Sequence, residues 1–192
     1  MRLVNRAIQT NPDLFHNAWT ASFFNDFWGT PLTHPGSHKS YRPLCVLSYR
    51  FNYLLGGFNP WGYHAFNVLL HVITTALFAY LCLRLFKGRK IPSYIASLTF
   101  AVHPIHTEAV AGLVGRAELG AAMFFLLSLL AYQKHALTAN GHTWQFVSLG
   151  LATCAMLSKE TGVTVIGVCA VAHVCAWNSG THRTKEKMVS RN

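Results

Sequence analysis

Two short clusters of ionisable residues interrupt the apolar segments of this chain. The first holds His103, His106, Glu108 and Arg116, and the second is the pair at 159–160, Lys-Glu. Ionisable side chains next to membrane-spanning segments are costly, so they are candidate functional residues. A carboxylate such as Glu108 can take the proton of an acceptor hydroxyl, while arginine or lysine stabilises negative charge on a phosphate leaving group. These residue types therefore fit glycosyl or phosphoryl transfer from a lipid-borne donor.

The same residues allow plainer interpretations. One is that the carboxylates and cations simply neutralise one another as ion pairs within the membrane protein. The residues concerned are Glu108, Arg116, Lys159 and Glu160. The pattern His103-x-x-His106-x-Glu108 contains metal-ligand types, but its spacing is not that of a known metal site and Pro104 separates the two histidines. We therefore predict hydrogen bonding to substrate or backbone at the histidines and no bound metal.

Composition indicates a membrane protein. Apolar residues make up 52% of the chain and charged residues only 11%, far below the roughly 25% of soluble domains. The formal charge of +10 comes from 16 Lys and Arg against 6 acids, but the cations lie between apolar blocks and form no basic stripe, so nucleic-acid binding is not expected. The five cysteines show no paired spacing, which predicts buried free thiols without a disulfide framework.

The apolar blocks predict an all-α, polytopic membrane protein. Residues 1–62 are aromatic-rich and are predicted to form interfacial helices over 18–28 and 43–58, although a small soluble subdomain fits equally well. Residues 63–177 are predicted to form a membrane domain of about five helical segments. The clearest span is at 62–86, and the other apolar segments are 91–102, 118–133, 146–157 and 162–177. A short amphipathic helix is predicted over 105–115. Residues 178–192 form a basic cytosolic tail.

The distribution of cations orients these segments. If the span at 62–86 runs toward the cytosol, the cytosolic segments hold nine Lys and Arg, and the two later loops on the other side hold only Arg116 and Lys159. This asymmetry follows the positive-inside rule. Both charged clusters are then expected on the same luminal face, where they can form one site.

Five motifs in order carry a resemblance to a known family: NDFWGTP at 25–31, GSHKSYRPL at 36–44, NVLLH at 67–71, HPIHTEAVAGLVGR at 103–116 and SKETGVTV at 158–165. The chain resembles the N-terminal membrane part of the transmembrane and tetratricopeptide-repeat-containing (TMTC) protein O-mannosyltransferases. The resemblance implies a multi-spanning, dolichol-dependent (GT-C type) fold in the endoplasmic-reticulum membrane, with residues 1–62 as a luminal loop that carries the interfacial helices. It also implies mannose transfer from dolichyl-phosphate mannose to Ser or Thr of secretory-pathway proteins with cadherin-like domains, without a further cofactor.

Carried over residue by residue, the resemblance implies a luminal donor or acceptor site lined by His103, His106, Glu108, Arg116, Lys159 and Glu160, with Arg116 and Lys159 holding the dolichyl phosphate. The family places an Asp-Asp pair shortly before the segment at 7–11, where this chain has Leu3 and Val4. Glu108 is therefore the candidate catalytic carboxylate, and an incomplete form with little activity of its own is expected.

Two other functions stay open at this point. One is a non-catalytic membrane protein that binds or regulates a complete family member, which the missing acidic pair favours. The other is a small transporter or channel, for which intramembrane charge is the single supporting feature.

Overall fold

The computed structural model describes residues 6–15, 19–138 and 142–178, and over these ranges the fold is all-helical without a β-strand. The α-helices are α1 (Arg6–Gln9), α2 (Pro43–Gly56), α3 (Pro60–Leu85), α4 (Lys90–Val102), α5 (Ile105–Ala111), α6 (Arg116–Leu137), α7 (His142–Ser158) and α8 (Thr164–Asn178). Short 3-10 turns occur at Pro12–Leu14, Ala21–Phe23 and Glu160–Val163. The all-α class predicted from the sequence is confirmed. The predicted basic tail lies outside the described residues except for Asn178, which ends α8.

The described segment before α2 is a compact lobe and does not contain the α-helix predicted over 18–28. Over the described part of 18–28, the expected helix is replaced by the 3-10 turn Ala21–Phe23 and a series of bends. The Asp26 carboxylate accepts hydrogen bonds from the backbone N–H of Trp28 (2.9 Å) and Thr30 (3.0 Å). Such local side-chain bonds compete with helix formation, and they explain why the aromatic segment folds as a turn. The second predicted segment, 43–58, does contain a helix, α2.

A hydrophobic core joins this lobe to the helical bundle. Its buried members come from the lobe, from α2, from the start of α3 and from the α5–α6 turn: Ile8, Leu14, Phe27, Cys45, Val46, Tyr49, Tyr63, Leu113 and Ala117. Because the core draws on four parts of the chain, burial of its apolar side chains fixes the lobe against the ends of these helices.

Helix α3 is the described helix that is by itself long and apolar enough to cross a membrane. Its 26 residues give a length of about 39 Å at 1.5 Å per residue, and its most apolar window has a mean hydropathy of 1.9. A helix is therefore present where the span at 62–86 was predicted, and it has the length and apolar composition that a crossing needs. The pair α5 and α6 passes the same test only when taken together, and its two helices are bent by 112° at the break between them.

Large apolar side chains are exposed along one face of α4 at positions about one helical turn apart, and they are Ile91, Tyr94, Ile95, Leu98 and Val102. Helices α3, α7 and α8 carry similar exposed residues, among them Leu69, Val72, Phe146, Leu149 and Val171. Scattered apolar residues are normal on a soluble surface, but a continuous stripe on several helices is what lipid contact requires.

Helices α6 and α7 pack together through small residues. Ser128 Oγ donates to the Ser148 carbonyl (2.8 Å), and Ser148 Oγ donates to the Ser128 carbonyl (2.9 Å). Small and hydroxylic residues allow close approach of helices in apolar surroundings. A second core, formed by Leu81, Leu126, Leu129, Ala152, Val165 and Cys169, connects this pair to α3 and α8. Among the described side chains, Cys45, Cys82, Cys154 and Cys169 are free thiols, as predicted.

The break between α5 and α6 depends on two glycines. A Cβ atom at Gly115 would lie 2.4 Å from Ala109 Cα, and one at Gly112 would lie 2.6 Å from the Glu108 carbonyl oxygen. Neither distance is sterically allowed for a side chain. These glycines therefore permit the sharp turn that brings α5 back over the N-terminal end of α6.

Candidate functional site

A cavity of about 1000 Å³ lies between α5, the N-terminal halves of α3 and α6, and the start of α2. This is at the upper end of the usual range for small-molecule sites. Its polar and aromatic wall residues are Arg42, His64, His71, Thr74, Phe100, His106, Glu108 and Glu118. Five of these eight come from parts of the chain outside the two sequence clusters and their connecting segment.

Glu108 is the carboxylate of the cavity without a protein partner. It lies on the exposed side of α5 and lines the cavity. Within the described part of the chain its carboxylate forms no hydrogen bond and no ion pair; the two ion pairs found there involve Glu118 and Glu160. The neutralisation of Glu108 by Arg116 or Lys159, which the sequence allowed, is therefore absent from this arrangement, and the carboxylate is available to a ligand.

Arg116 lies beneath the cavity, with 1% of its surface exposed. Its Nε donates to Asn67 Oδ1 (2.8 Å), its Nη1 to Asn52 Oδ1 (2.5 Å) and its Nη2 to the Tyr63 carbonyl (2.9 Å). The Tyr49 ring lies 4.6 Å from the guanidinium carbon, within the range of a cation–π contact. No described carboxylate pairs with Arg116, so neutral acceptors and ring faces hold a buried charge.

This geometry changes the role assigned to Arg116. The resemblance implied direct contact with the donor phosphate, but all three guanidinium nitrogens already donate to protein acceptors, and the residue is not part of the cavity wall. A phosphate in the cavity would have to break these bonds to reach it. In this arrangement Arg116 holds α2, α3 and α6 together from outside the cavity wall.

Two ion pairs lie at the α2 end of the cavity. Lys159 Nζ pairs with Glu118 Oε1, and Arg42 Nη2 pairs with Glu160 Oε2 at 3.2 Å. They bring the first turn of α6 and the start of α2 to the 3-10 turn before α8. The two ionisable clusters of the sequence thus meet at one end of the bundle, although through Glu118 and not through Glu108.

Arg42 is the site residue that the sequence did not single out as such. It is separated from Glu160 by 118 positions, and its guanidinium lies 5.5 Å from the centre of the Phe27 ring. The signal that could have found it is its place inside the motif GSHKSYRPL, where it is the arginine directly before Pro43 and the start of α2.

Asp26 organises the loop that leads to Arg42. Its carboxylate accepts from Ser37 Oγ (2.7 Å) and from the backbone N–H of His38 (3.0 Å), in addition to the two amides of its own turn. Burial by itself would raise the pKa of Asp26, but the bond from Ser37 and those from three backbone amides outweigh it and hold the pKa below its ordinary value. The charged carboxylate therefore stabilises the loop and the position of Phe27 under Arg42.

The pKa of Asp13, in the same lobe, is raised, whereas that of Asp26 is lowered. It is 3% exposed, and its Oδ1 accepts from Asn25 Nδ2 (2.7 Å). Its Oδ2 is buried without a partner among the described residues. Burial raises the pKa of Asp13, and the bond from Asn25 and the charge of Arg50 only partly offset this. Its charge is therefore a cost to the fold.

His71 and His106 line the cavity beside Phe100, whereas His103 is not part of the cavity wall. The His106 ring lies 4.5 Å from the Phe100 ring and 5.1 Å from the His71 ring, measured between centres. His71 Nε2 donates to the Ala101 carbonyl (3.1 Å) and so joins α3 to α4. His103 is exposed, and its Nδ1 accepts from the backbone N–H of Ile105 at the start of α5. Among the described residues, no three His, Cys, Asp or Glu side chains are grouped to hold a metal ion.

An apolar groove of about 350 Å³ adjoins the cavity. The two share the wall residues Thr74, Phe100, Glu118 and Ala122. From there the groove follows α6 along residues such as Phe78, Ala121, Phe125 and Leu126. A chamber with charged and polar side chains in its wall therefore adjoins an apolar groove along a helix of the bundle, and this shape suits a ligand with a charged head and a hydrocarbon chain.

Comparison with known proteins agrees with this geometry. Residues 34–190 match the family model described as dolichyl-phosphate-mannose-protein mannosyltransferase. The chain is 54% identical over 190 residues to protein O-mannosyl-transferase TMTC2 of Homo sapiens, and this alignment covers 96% of the chain and 22% of the relative. It is 48% identical over 182 residues to Tmtc2 of Drosophila melanogaster (91% and 19%) and 47% identical over 171 residues to TMTC3 of Homo sapiens (88% and 18%).

No solved structure matches the chain. The chain spans about a fifth of the length of the curated relatives it matches. The family match nevertheless covers most of it, including α2 to α8 and every residue of the cavity wall. The chain therefore belongs to the dolichyl-phosphate-mannose–protein mannosyltransferase family, within its TMTC group of protein O-mannosyl-transferases.

Proposed function

We propose that this chain binds dolichyl-phosphate mannose and contributes the site from which mannose is transferred to Ser or Thr hydroxyls of secretory-pathway proteins. The observation that carries the proposal is a cavity with charged side chains in its wall next to an apolar groove, since the donor joins a phosphate-linked sugar to a long hydrocarbon chain. The sugar and phosphate occupy the cavity, and the first isoprene units occupy the groove along α6. The membrane-crossing length of α3 supports a lipid-borne donor.

Arg42 and Lys159 are the proposed phosphate ligands. Arginine offers a planar fork that matches two phosphate oxygens, and lysine adds a compact charge. Both cations are paired with carboxylates, Glu160 and Glu118, at the edge of the cavity. These partners hold the cations in place before the donor binds, and the phosphate joins them as a further negative group.

Glu108 is the proposed general base. The acceptor hydroxyl oxygen attacks C1 of the mannose as the bond from C1 to the phosphate oxygen breaks, and the hydroxyl proton passes to the Glu108 carboxylate. Dolichyl phosphate leaves with the bonding electron pair, and Arg42 and Lys159 stabilise its charge. His106 and Phe100 form the wall beside the sugar, where His106 can hydrogen-bond to a hydroxyl.

The proposed setting is the endoplasmic-reticulum membrane, with a multi-pass GT-C type fold and the cavity facing the lumen. Acceptors are proposed to be cadherin-like proteins. Orientation is testable because the native chain has no Asn-x-Ser/Thr sequence. N-glycosylation acceptors introduced at His38 or Ser158 should be modified, whereas one introduced at 87–90 should not. Modification of the 87–90 site would reverse the orientation and place the cavity on the cytosolic side.

Donor binding is the decisive experiment. The purified chain in lipid nanodiscs is titrated with radiolabelled dolichyl-phosphate mannose. Arg42→Gln and Lys159→Gln should each raise Kd about tenfold, the effect of losing one charge-assisted contact. Lys90→Gln, an exposed cation beyond the far end of α3, is the matched control and should leave Kd unchanged. Failure of the wild-type chain to bind donor refutes the proposal.

Transfer is measured in the same preparation with a cadherin domain as acceptor. Turnover by this chain alone is expected to be low. Glu108→Gln should abolish whatever transfer occurs while leaving donor Kd unchanged, because the amide cannot accept the proton. An unchanged rate would remove Glu108 from the mechanism.

A second candidate is a non-catalytic membrane protein that binds a complete family member. The pairing of both edge cations with carboxylates favours it, because it leaves them locally neutralised. This candidate predicts co-purification with such a protein and no dependence of donor binding on Arg42. The titration of Arg42→Gln therefore separates the two.

A further inference from the structure

Asn67 occupies an unusual position for a polar side chain, since it is completely buried in the span α3. Its Oδ1 accepts from Arg116 Nε (2.8 Å), while its Nδ2 donates to the carbonyls of Val110 (3.3 Å) and Gly112 (3.1 Å). The guanidinium can only donate and the carbonyls can only accept, so one orientation of the amide satisfies both sides. Arg116 thereby locks the direction in which Asn67 presents its donor.

The two carbonyls that Asn67 binds lie at the C-terminal end of α5, where helical carbonyls lack partners within the helix. Helix α5 has seven residues and none of them is buried, so it has no core of its own to hold it. Gly112 N–H donates to the Glu108 carbonyl (2.8 Å), which links the point bound by Asn67 to the residue that carries the cavity carboxylate. The position of α5 depends on such tethers to its turn.

A second tether comes from α2. Tyr49 Oη donates to the Leu113 carbonyl (2.5 Å), and its ring lies against Arg116. The turn between α5 and α6 is therefore held from α3 and from α2, and both holding side chains contact the same buried guanidinium. This arrangement explains why a cation without a carboxylate partner is kept at this place.

We propose that Asn67, oriented by Arg116, is a positioning residue that holds α5 so that Glu108 faces the cavity. The inference rests on the proposed role of Glu108 for its catalytic consequence, but the tether itself does not depend on that role. Asn67 touches no ligand; it acts through the backbone of the α5–α6 turn.

Asn67→Asp is the discriminating variant. The side chain keeps its size and keeps an acceptor for Arg116, but a carboxylate oxygen replaces the donor and faces the Val110 and Gly112 carbonyls. The two hydrogen bonds to these carbonyls are then lost, and the carboxylate oxygen repels the carbonyl oxygens. Asn52→Asp is the matched control: it makes the same change on the other amide that binds Arg116, and Asn52 Nδ2 donates to the Gly62 carbonyl (3.4 Å) and not to α5.

Hydrogen exchange and kinetics are measured on both variants in nanodiscs. In Asn67→Asp, amide exchange over 105–116 should rise about fivefold or more, the expected effect of losing a hydrogen bond or two. kcat should fall about tenfold or more because the base is displaced, with the KM for donor unchanged. In Asn52→Asp neither amide exchange over 105–116 nor kcat should change in this way. Equal effects in the two variants, or unchanged exchange in Asn67→Asp, would overturn the proposal.

Two further measurements keep the test decisive. If Asn67→Asp does not fold, Asn67→Ser, whose hydroxyl is too short to reach the turn, is measured with the same expected result and the same criterion. If the wild-type chain binds donor but transfers no mannose, the catalytic role of Glu108 fails, and the exchange data alone decide whether Asn67 tethers α5.

Discussion

Replacing Arg116 by methionine tests the largest buried polar network of the described residues. Methionine fills much of the same space and keeps apolar contact with the surrounding rings, but it donates no hydrogen bond. The side-chain oxygens of Asn67 and Asn52 then lose their donor in a buried site. The Ser48 and Tyr63 carbonyls, which Arg116 also contacts, lie in α2 and α3 and keep helical bonds to their own chain.

The expected loss follows from the two orphaned oxygens. Leaving a buried acceptor without a partner costs about 1–3 kcal/mol, so two give about 2–6 kcal/mol. Removing a buried charge that has no carboxylate partner offsets part of this. We expect a net loss of about 2–4 kcal/mol for Arg116→Met, which corresponds to a fall in Tm of roughly 5–15 °C for a chain of this size. Arg116→Lys keeps the charge but loses the planar guanidinium with its several donors, and its Tm should lie between those of wild type and Arg116→Met.

Thermal unfolding of the chain in detergent, followed by the fluorescence of its five tryptophans, measures these differences. A triple variant, Arg116→Met with Asn52→Leu and Asn67→Leu, removes the orphaned acceptors as well and should recover part of the lost stability. The recovery is partial because Asn67→Leu also removes the donor to the Val110 and Gly112 carbonyls. A Tm for Arg116→Met within about 1 °C of wild type would refute the reasoning, and so would a lysine variant less stable than the methionine variant.

Two further predictions concern the lobe and the α5–α6 turn. The pKa of Asp26 is lowered below 3.8, so its charge adds stability that is lost only as pH falls through that folded-state pKa. Asp26→Asn should lower Tm at pH 7, with the difference shrinking as the pH falls below the ordinary value of 3.8. The pKa of Asp13 is raised, so its contribution is lost as pH rises, and Asp13→Asn should keep or raise Tm at pH 7; a clear fall contradicts this. Gly115→Ala, which meets the backbone at 2.4 Å, should cost about 3 kcal/mol, whereas Gly150→Ala, with no atom within 4 Å, should be neutral or stabilising in a thermal-unfolding assay.

Much of the fold could be predicted because apolar length and helix boundaries are local properties. The span at 62–86 became α3, and the short segment at 105–115 became α5, since a run of apolar residues and the breaks at proline and glycine act within a few positions. The aromatic segment at 18–28 was predicted wrongly. Its composition suits an interfacial helix, but the Asp26 carboxylate stabilises a turn there by bonds to nearby amides.

The candidate site shows where local patterns end. Glu108, Lys159 and Glu160 could be named from the rarity of acids and cations beside apolar segments. Their partners could not, because ion pairing depends on which helix ends meet in space. Glu118 and Arg42, which pair with Lys159 and Glu160, both lie outside the two clusters that the sequence identified.

The sequence by itself determined the all-helical class, the spanning helix and the family, because hydropathy and ordered motifs depend only on residue types and their order. Tertiary structure alone decided which charges are available. It buried Arg116 among neutral acceptors, left Glu108 in the cavity without a partner among the described residues, and brought Arg42 to a residue 118 positions away. The physical reason is that the energy of a charge depends on its solvation and on its neighbours within a few ångströms. Both are set by packing between helices that are distant in the chain.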